Sequence, residues 1–255
     1  MPTPDRRESK PSTPRPGRVH DVASSLVWLE AHATKATRDA MPRFGIVAAH
    51  ALGVKVGEIR ALAKAIGHDH DLAQALWATD VYEARLLACF VDDPARVTVT
   101  QMNAWCRDFD NWAVCDTACF HLFDHTPHAL GRVAAWANRS AEFERRAAFA
   151  LVASLALHRK DLDATAFVAL LPLIETAASD PRNFVKKAVS WALRGVGRRD
   201  AALHARSLTL AARLAASSDR TERWVGKDAL RELSSEAVVK RVAAKAAPKK
   251  KANAR

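Results

Sequence analysis

Trp112 and Asp116 stand four residues apart in the run Asp108-Phe109-Asp110-Asn111-Trp112-Ala113-Val114-Cys115-Asp116. On a helix that spacing brings an indole and a carboxylate onto one face. The pair suits one kind of chemistry. Cleavage of a glycosidic bond passes through an oxocarbenium-like sugar cation, which a carboxylate stabilises and an aromatic face attracts through its quadrupole. Trp191, in Lys187-Ala188-Val189-Ser190-Trp191, supplies a possible third partner. The same spacing also occurs on helix faces that merely pack, with an acid near a helix N-terminus on a favourable dipole.

Other chemistries lack their residues. Cys106, Cys115, Cys119, His121, His125 and His128 cluster in the sequence, but without the paired C-x2-C spacing of a zinc site. They read as buried thiols and surface histidines, and neither a metal nor a cofactor is expected. No glycine-rich phosphate loop and no serine nucleophile elbow is present.

The elements that must position Trp112 and Asp116 are helices. Alanine and leucine dominate, glycine occurs only 9 times in 255 residues, and 49% of the chain is hydrophobic, enough for a sizeable core. Fourteen apolar-periodic segments follow one another, from 21–39 and 42–51 through 111–123, 141–157, 162–177 and 181–197 to 220–234 and 236–246. Asp92-Asp93-Pro94, Ser179-Asp180-Pro181, Gly197 and Ser217-Ser218-Asp219 punctuate the joints. The expected fold is all-α.

Arg146, Lys187 and Lys227 recur about every 40 residues within similar helix starts, each followed by small residues, and Arg85 in Tyr82-Glu83-Ala84-Arg85 reads as an earlier copy. That period is typical of HEAT-like helix pairs, and stacking such units would align the cations along one concave surface of a C-shaped array. Cations on solvated helix faces are the plainer reading. The net charge is +11, but residues 240–255 carry seven cations and no acid, and residues 1–20 carry five cations against two acids, so the body is close to neutral. A basic groove would therefore need segregation of charge, with the tails adding salt-sensitive attraction to phosphates. The organisation expected is a disordered basic segment over 1–20, one helical-repeat domain over 21–239 and a disordered basic tail over 240–255. The start is polar and proline-rich without an apolar signal core, no apolar run reaches membrane-spanning length, and the four cysteines crowd into one stretch. These features lead us to expect a cytoplasmic protein with reduced thiols.

Residues 40–235 resemble the AlkD-type DNA alkylation repair family of HEAT-like-repeat alkylpurine DNA glycosylases. The resemblance rests on Met41-Pro42-Arg43-Phe44, Gly53-Val54, Leu76-Trp77, Tyr82-Glu83-Ala84-Arg85, Asn111-Trp112-Ala113-Val114-Cys115-Asp116, Arg145-Arg146-Ala147-Ala148 and Lys186-Lys187-Ala188 with Trp191, taken in order. It implies a catalytic cleft of Trp112, Asp116 and Trp191, an Arg146 that grips the DNA backbone, and excision of cationic purines such as 3-methyladenine and 7-methylguanine from duplex DNA without extrusion of the base. A cationic base is already a good leaving group, so no general acid is implied. Phe44 stands where tyrosine is common, which keeps ring packing and loses a phenolic hydrogen bond. The DNA contacts expected are Arg146, Arg85, Lys187, Lys227 and Phe44, in a monomer that is nucleoid-associated when DNA-bound. A HEAT-repeat protein that binds DNA without catalysis, or a protein-interaction scaffold, are the alternatives.

Overall fold

The computed structural model describes residues 20–246. Residues 1–19 and 247–255, which hold the N-terminal segment and most of the basic tail, lie outside the described residues. Residues 20–246 are helical and contain no strand, as the composition predicts. It forms two compact units that divide at the Asp93–Pro94 joint.

The first unit holds α1 (Val22–His32), α2 (Lys35–Ala40), a 3-10 turn (Met41–Phe44), α3 (Val56–Ile66), α4 (His70–Trp77) and α5 (Tyr82–Val91). Asp21 opens α1 with a reciprocal capping box to Ser24. The expected helix over 21–39 is two helices, because Thr34 adopts extended backbone and caps α2 by accepting from Thr37 N–H. The helix expected over 42–51 shrinks to the 3-10 turn. Pro42 suits its first positions, and Gly45 ends it in the left-handed conformation at φ 70°. Buried Glu83, on α5, accepts from the backbone N–H groups of Leu52, Gly53 and Val54 at 2.9, 2.7 and 3.2 Å. That explains structurally why Gly53-Val54 and Glu83 occur together: the carboxylate ties down a loop whose glycine, at φ 99°, approaches the backbone of Thr34.

The second unit holds α6 (Val99–Arg107), α7 (Trp112–His121), a 3-10 turn (Phe123–His125), α8 (Ala129–Ala137), α9 (Glu142–His158), α10 (Ala164–Val168), α11 (Leu171–Ala177), α12 (Asn183–Gly197), α13 (Ala201–Ala215), α14 (Arg220–Leu233) and α15 (Glu236–Ala246). The central α9, buried over most of its length from Arg146 to Ala156, packs against α7, α8 and α12, and α12 in turn packs against α13 and α14. The helix expected over 162–177 is interrupted, because Pro172 falls in the first turn of α11 and cannot donate a backbone hydrogen bond there. Helix α15 continues to Ala246, beyond the boundary placed at residue 240, because Val238 and Val242 bury against Leu233.

Small residues decide how closely these helices approach. Gly197, expected to punctuate the end of the 181–197 helix, is the last residue of α12 and is covered by Leu233 and Ser207. At Gly226, within α14, an added Cβ would lie 2.2 Å from the backbone nitrogen of Ala215 and 2.7 Å from the carbonyl of Ala211, both on α13. Gly226→Ala must therefore separate the two helices. We expect a loss of about 3 kcal/mol, read as a lowered midpoint in urea with the helical circular dichroism spectrum retained in buffer.

Candidate active site

Asn111 opens α7 by accepting from the N–H groups of Ala113 and Val114, both at 3.0 Å. The helix it starts carries Trp112, Asp116 and Phe120 at successive four-residue steps, one above the next on a single face, and all three are partly exposed. The neighbouring Cys115 and Cys119 are buried against α9, donating to its Phe143 and Ala147 carbonyls at 3.7 and 3.5 Å. All four cysteines are buried, and none forms a disulfide.

Asp116 is gripped by Arg146 of α9. Arg146 Nε donates to Asp116 Oδ1 at 2.8 Å and Nη2 to Oδ2 at 2.7 Å, a bidentate pair. A third donor, Nη1, reaches the Phe184 carbonyl at the start of α12 at 2.7 Å. The side chains are 15% and 7% exposed for Asp116 and Arg146. Burial pushes the Asp116 carboxyl above its ordinary value, and the guanidinium beside it pulls the other way. Two of the carboxylate's approximately four acceptor directions are taken by Arg146, which leaves capacity on the open side.

Trp191 comes to this face through Phe120. Their rings stack at a centroid distance of 4.6 Å and an interplanar angle of 7°. Phe120 is the residue that reading the sequence missed. Its signal was present, since it lies four residues past Asp116, but an isolated phenylalanine on an apolar helix carries no sign of what it faces. Helices α7, α9 and α12 thus bring together one ion pair and an aromatic surface of Trp112, Phe120 and Trp191.

The expected cations are placed differently from one another. Lys187 and Lys227 are exposed and make no ion pair among the described residues. Arg146 turns inward because Asp116 faces it across the α7–α9 contact. In the first unit, Arg85 meets Asp80 at 2.8 Å and lies over the Trp77 ring at 5.2 Å, with its side chain 12% exposed. Phe44, at the end of its 3-10 turn, is 69% exposed.

Among solved structures, this chain is similar to one described as "a new family of proteins related to the HEAT-like repeat DNA glycosylases with affinity for branched DNA structures". The TM-score is 0.70 at 19% sequence identity, over 83% of this chain and 95% of that one. That likeness gives the fold, an all-α HEAT-like repeat. No curated protein matches. A family model described as DNA alkylation repair enzyme matches residues 27–233, a span that contains Trp112, Asp116, Arg146 and Trp191, and the chain therefore belongs to the DNA alkylation repair enzyme family.

Proposed function

We propose that the protein is a DNA glycosylase that excises cationic alkylated purines, of the 3-methyladenine and 7-methylguanine type, from duplex DNA. The observation that carries this reading is a partly exposed carboxylate, Asp116, held in one orientation by Arg146 within a surface of three aromatic rings. As the base departs, positive charge develops at the anomeric carbon of the sugar. A fixed carboxylate and electron-rich ring faces stabilise that charge without first having to reorganise. The leaving group is already cationic, so the site needs no acid to protonate it. Water then adds to the sugar cation, giving an abasic site and the free base.

In this reading Arg146 acts through Asp116 as a positioning residue, with three of its five donors engaged inside the protein. Exposed Lys187 and Lys227 are suited to phosphate contacts, which hold the duplex in register without reading its sequence. Arg85, by its repeat register, and Phe44, by the family resemblance, are the further residues assigned to DNA contact. Base release from methylated duplex DNA tests the proposal: free 7-methylguanine and abasic sites should accumulate with this protein and not with buffer.

The aromatic surface has its own expected outcome. Trp191→Ala removes one ring of the stack, and Phe120→Ala leaves Trp191 without its support. Each should slow single-turnover release by about tenfold, the equivalent of about 1.4 kcal/mol at the transition state. Unchanged rates in both variants would remove the stack from the chemistry.

A second reading has support in the solved relative's described affinity for branched DNA. Under it, the protein binds DNA junctions and releases no base. Comparing affinity for a four-way junction with that for a duplex of equal length, alongside the release assay, separates the two.

A further inference from the structure

We propose that Asp124, His125 and His158 form a binding site for a divalent transition-metal ion, beside the aromatic surface and independent of the glycosylase reading. Asp124 lies in the 3-10 turn after α7 and is fully buried, while His125 and His158, the latter at the end of α9, keep about half and about one third of their side-chain surface exposed. Each residue offers one ligand atom, and the three atoms lie within 4.8 Å of one another.

The carboxylate is what makes this more than a pair of surface histidines. Its Oδ2 meets His158 Nδ1 at 2.5 Å. Its Oδ1 is buried and has no hydrogen-bond partner, yet it faces His125 Nε2 at 3.6 Å. A buried carboxylate oxygen without a partner is costly, and one that faces an imidazole nitrogen has the geometry of a ligand. The two imidazole rings lie nearly parallel, at 11° and 5.7 Å between centroids, and each has one nitrogen beside the same carboxylate.

Two imidazoles and one carboxylate are the donor set of open zinc and iron(II) sites, in which protein ligands fill three positions and solvent fills the rest. Ligand atoms around a tetrahedral ion with bonds of about 2.0–2.1 Å stand roughly 3.3 Å apart. The Oδ1–Nε2 separation of 3.6 Å is close to that span, and no separation within the three-atom set exceeds 4.8 Å. On binding, the proton shared between Asp124 and His158 leaves to solvent, and the metal takes its place.

The surroundings hold the ligands in place. Arg159 Nη1 donates to the backbone carbonyls of Asp124 and Thr126 at 3.3 Å, which fixes the turn. The edge of the His158 ring meets Phe120 at 5.8 Å, and Phe120 stacks on Trp191. An ion here therefore bears on the orientation of the aromatic surface through one ring. The sequence hid the site because His158 is 34 residues from Asp124 and joins it only through the packing of α9 on the turn.

The test is titration of the untagged full chain with Co²⁺, followed by visible absorption, and displacement of the bound Co²⁺ by Zn²⁺. One Co²⁺ per chain is expected, with the ligand-field bands of a nitrogen and oxygen donor set. His125→Ala and His158→Ala should each weaken binding by at least about tenfold, while His128→Ala should leave it unchanged. Both ligand histidines are exposed enough for the variants to fold, which circular dichroism checks before titration. The proposal is overturned if the wild-type protein takes up no stoichiometric Co²⁺. It is equally overturned if the His125→Ala/His158→Ala double variant binds as tightly as wild type, or if the spectrum shows the intense near-ultraviolet band of thiolate ligation.

Discussion

Asp116→Asn should slow single-turnover release of 7-methylguanine from duplex DNA by about 10²–10³-fold, the loss typical when one preorganised charge is removed from a transition state. Asparagine keeps the shape and removes the charge, and affinity for undamaged duplex should hardly change, because a carboxylate contributes nothing to phosphate binding. Folded protein that binds DNA and excises at the wild-type rate would take Asp116 out of the mechanism. The wild-type protein offers a companion measurement. Burial raises the Asp116 carboxyl above its ordinary value of 3.8, and the proposed chemistry needs the ionised form. Excision should therefore be lost as the pH falls through that raised value, earlier than for an exposed aspartate.

The second large effect concerns Arg146, and it falls on stability and chemistry together. Removing either member of a buried pair leaves the other charged and uncompensated, at a cost of about 3–5 kcal/mol. Both Arg146→Met and Asp116→Asn should lower the urea midpoint substantially. The double variant should be less destabilised than the sum of the two, since it leaves no lone buried charge. Its excision rate should stay at the level of Asp116→Asn alone, which separates the structural role of the pair from its chemical one. Arg146→Met has a further signature: without the guanidinium nothing opposes burial, so the acid limb of the rate profile should move to higher pH. Strict additivity of the two stability losses would show that the side chains do not act as a pair.

What could be read from the sequence follows the range of the interactions involved. Trp112 and Asp116 belong to one helix, and their spacing alone placed them on one face. The all-α fold and the joint at Asp92-Asp93-Pro94 came from local signals of the same kind. Pairings across helices did not. Arg146 reads from its repeat register as one of a row of outward cations, and only the α7–α9 contact turns it onto Asp116. Asp124 with His158 is hidden for the same reason. The misread boundaries have local causes that competing signals masked: Thr34 caps a new helix in the middle of an apolar-periodic run, Gly45 stops a turn that hydrophobic spacing would extend, and Pro172 interrupts a stretch whose periodicity continues through it.

The buried thiols beside the α7 site bear on how the protein withstands alkylating agents. Electrophiles that methylate purines also attack sulfur, and they react with the thiolate rather than the thiol. Burial pushes Cys106 and Cys119 well above the ordinary thiol range, and Cys115 and Cys119 give their hydrogens to carbonyls of α9. Cys106 and Cys119 are thus held as thiols, and all four sulfurs are kept out of reach of solvent. Under the proposed function, this packing makes the protein a poor substrate for the agents whose damage it would repair.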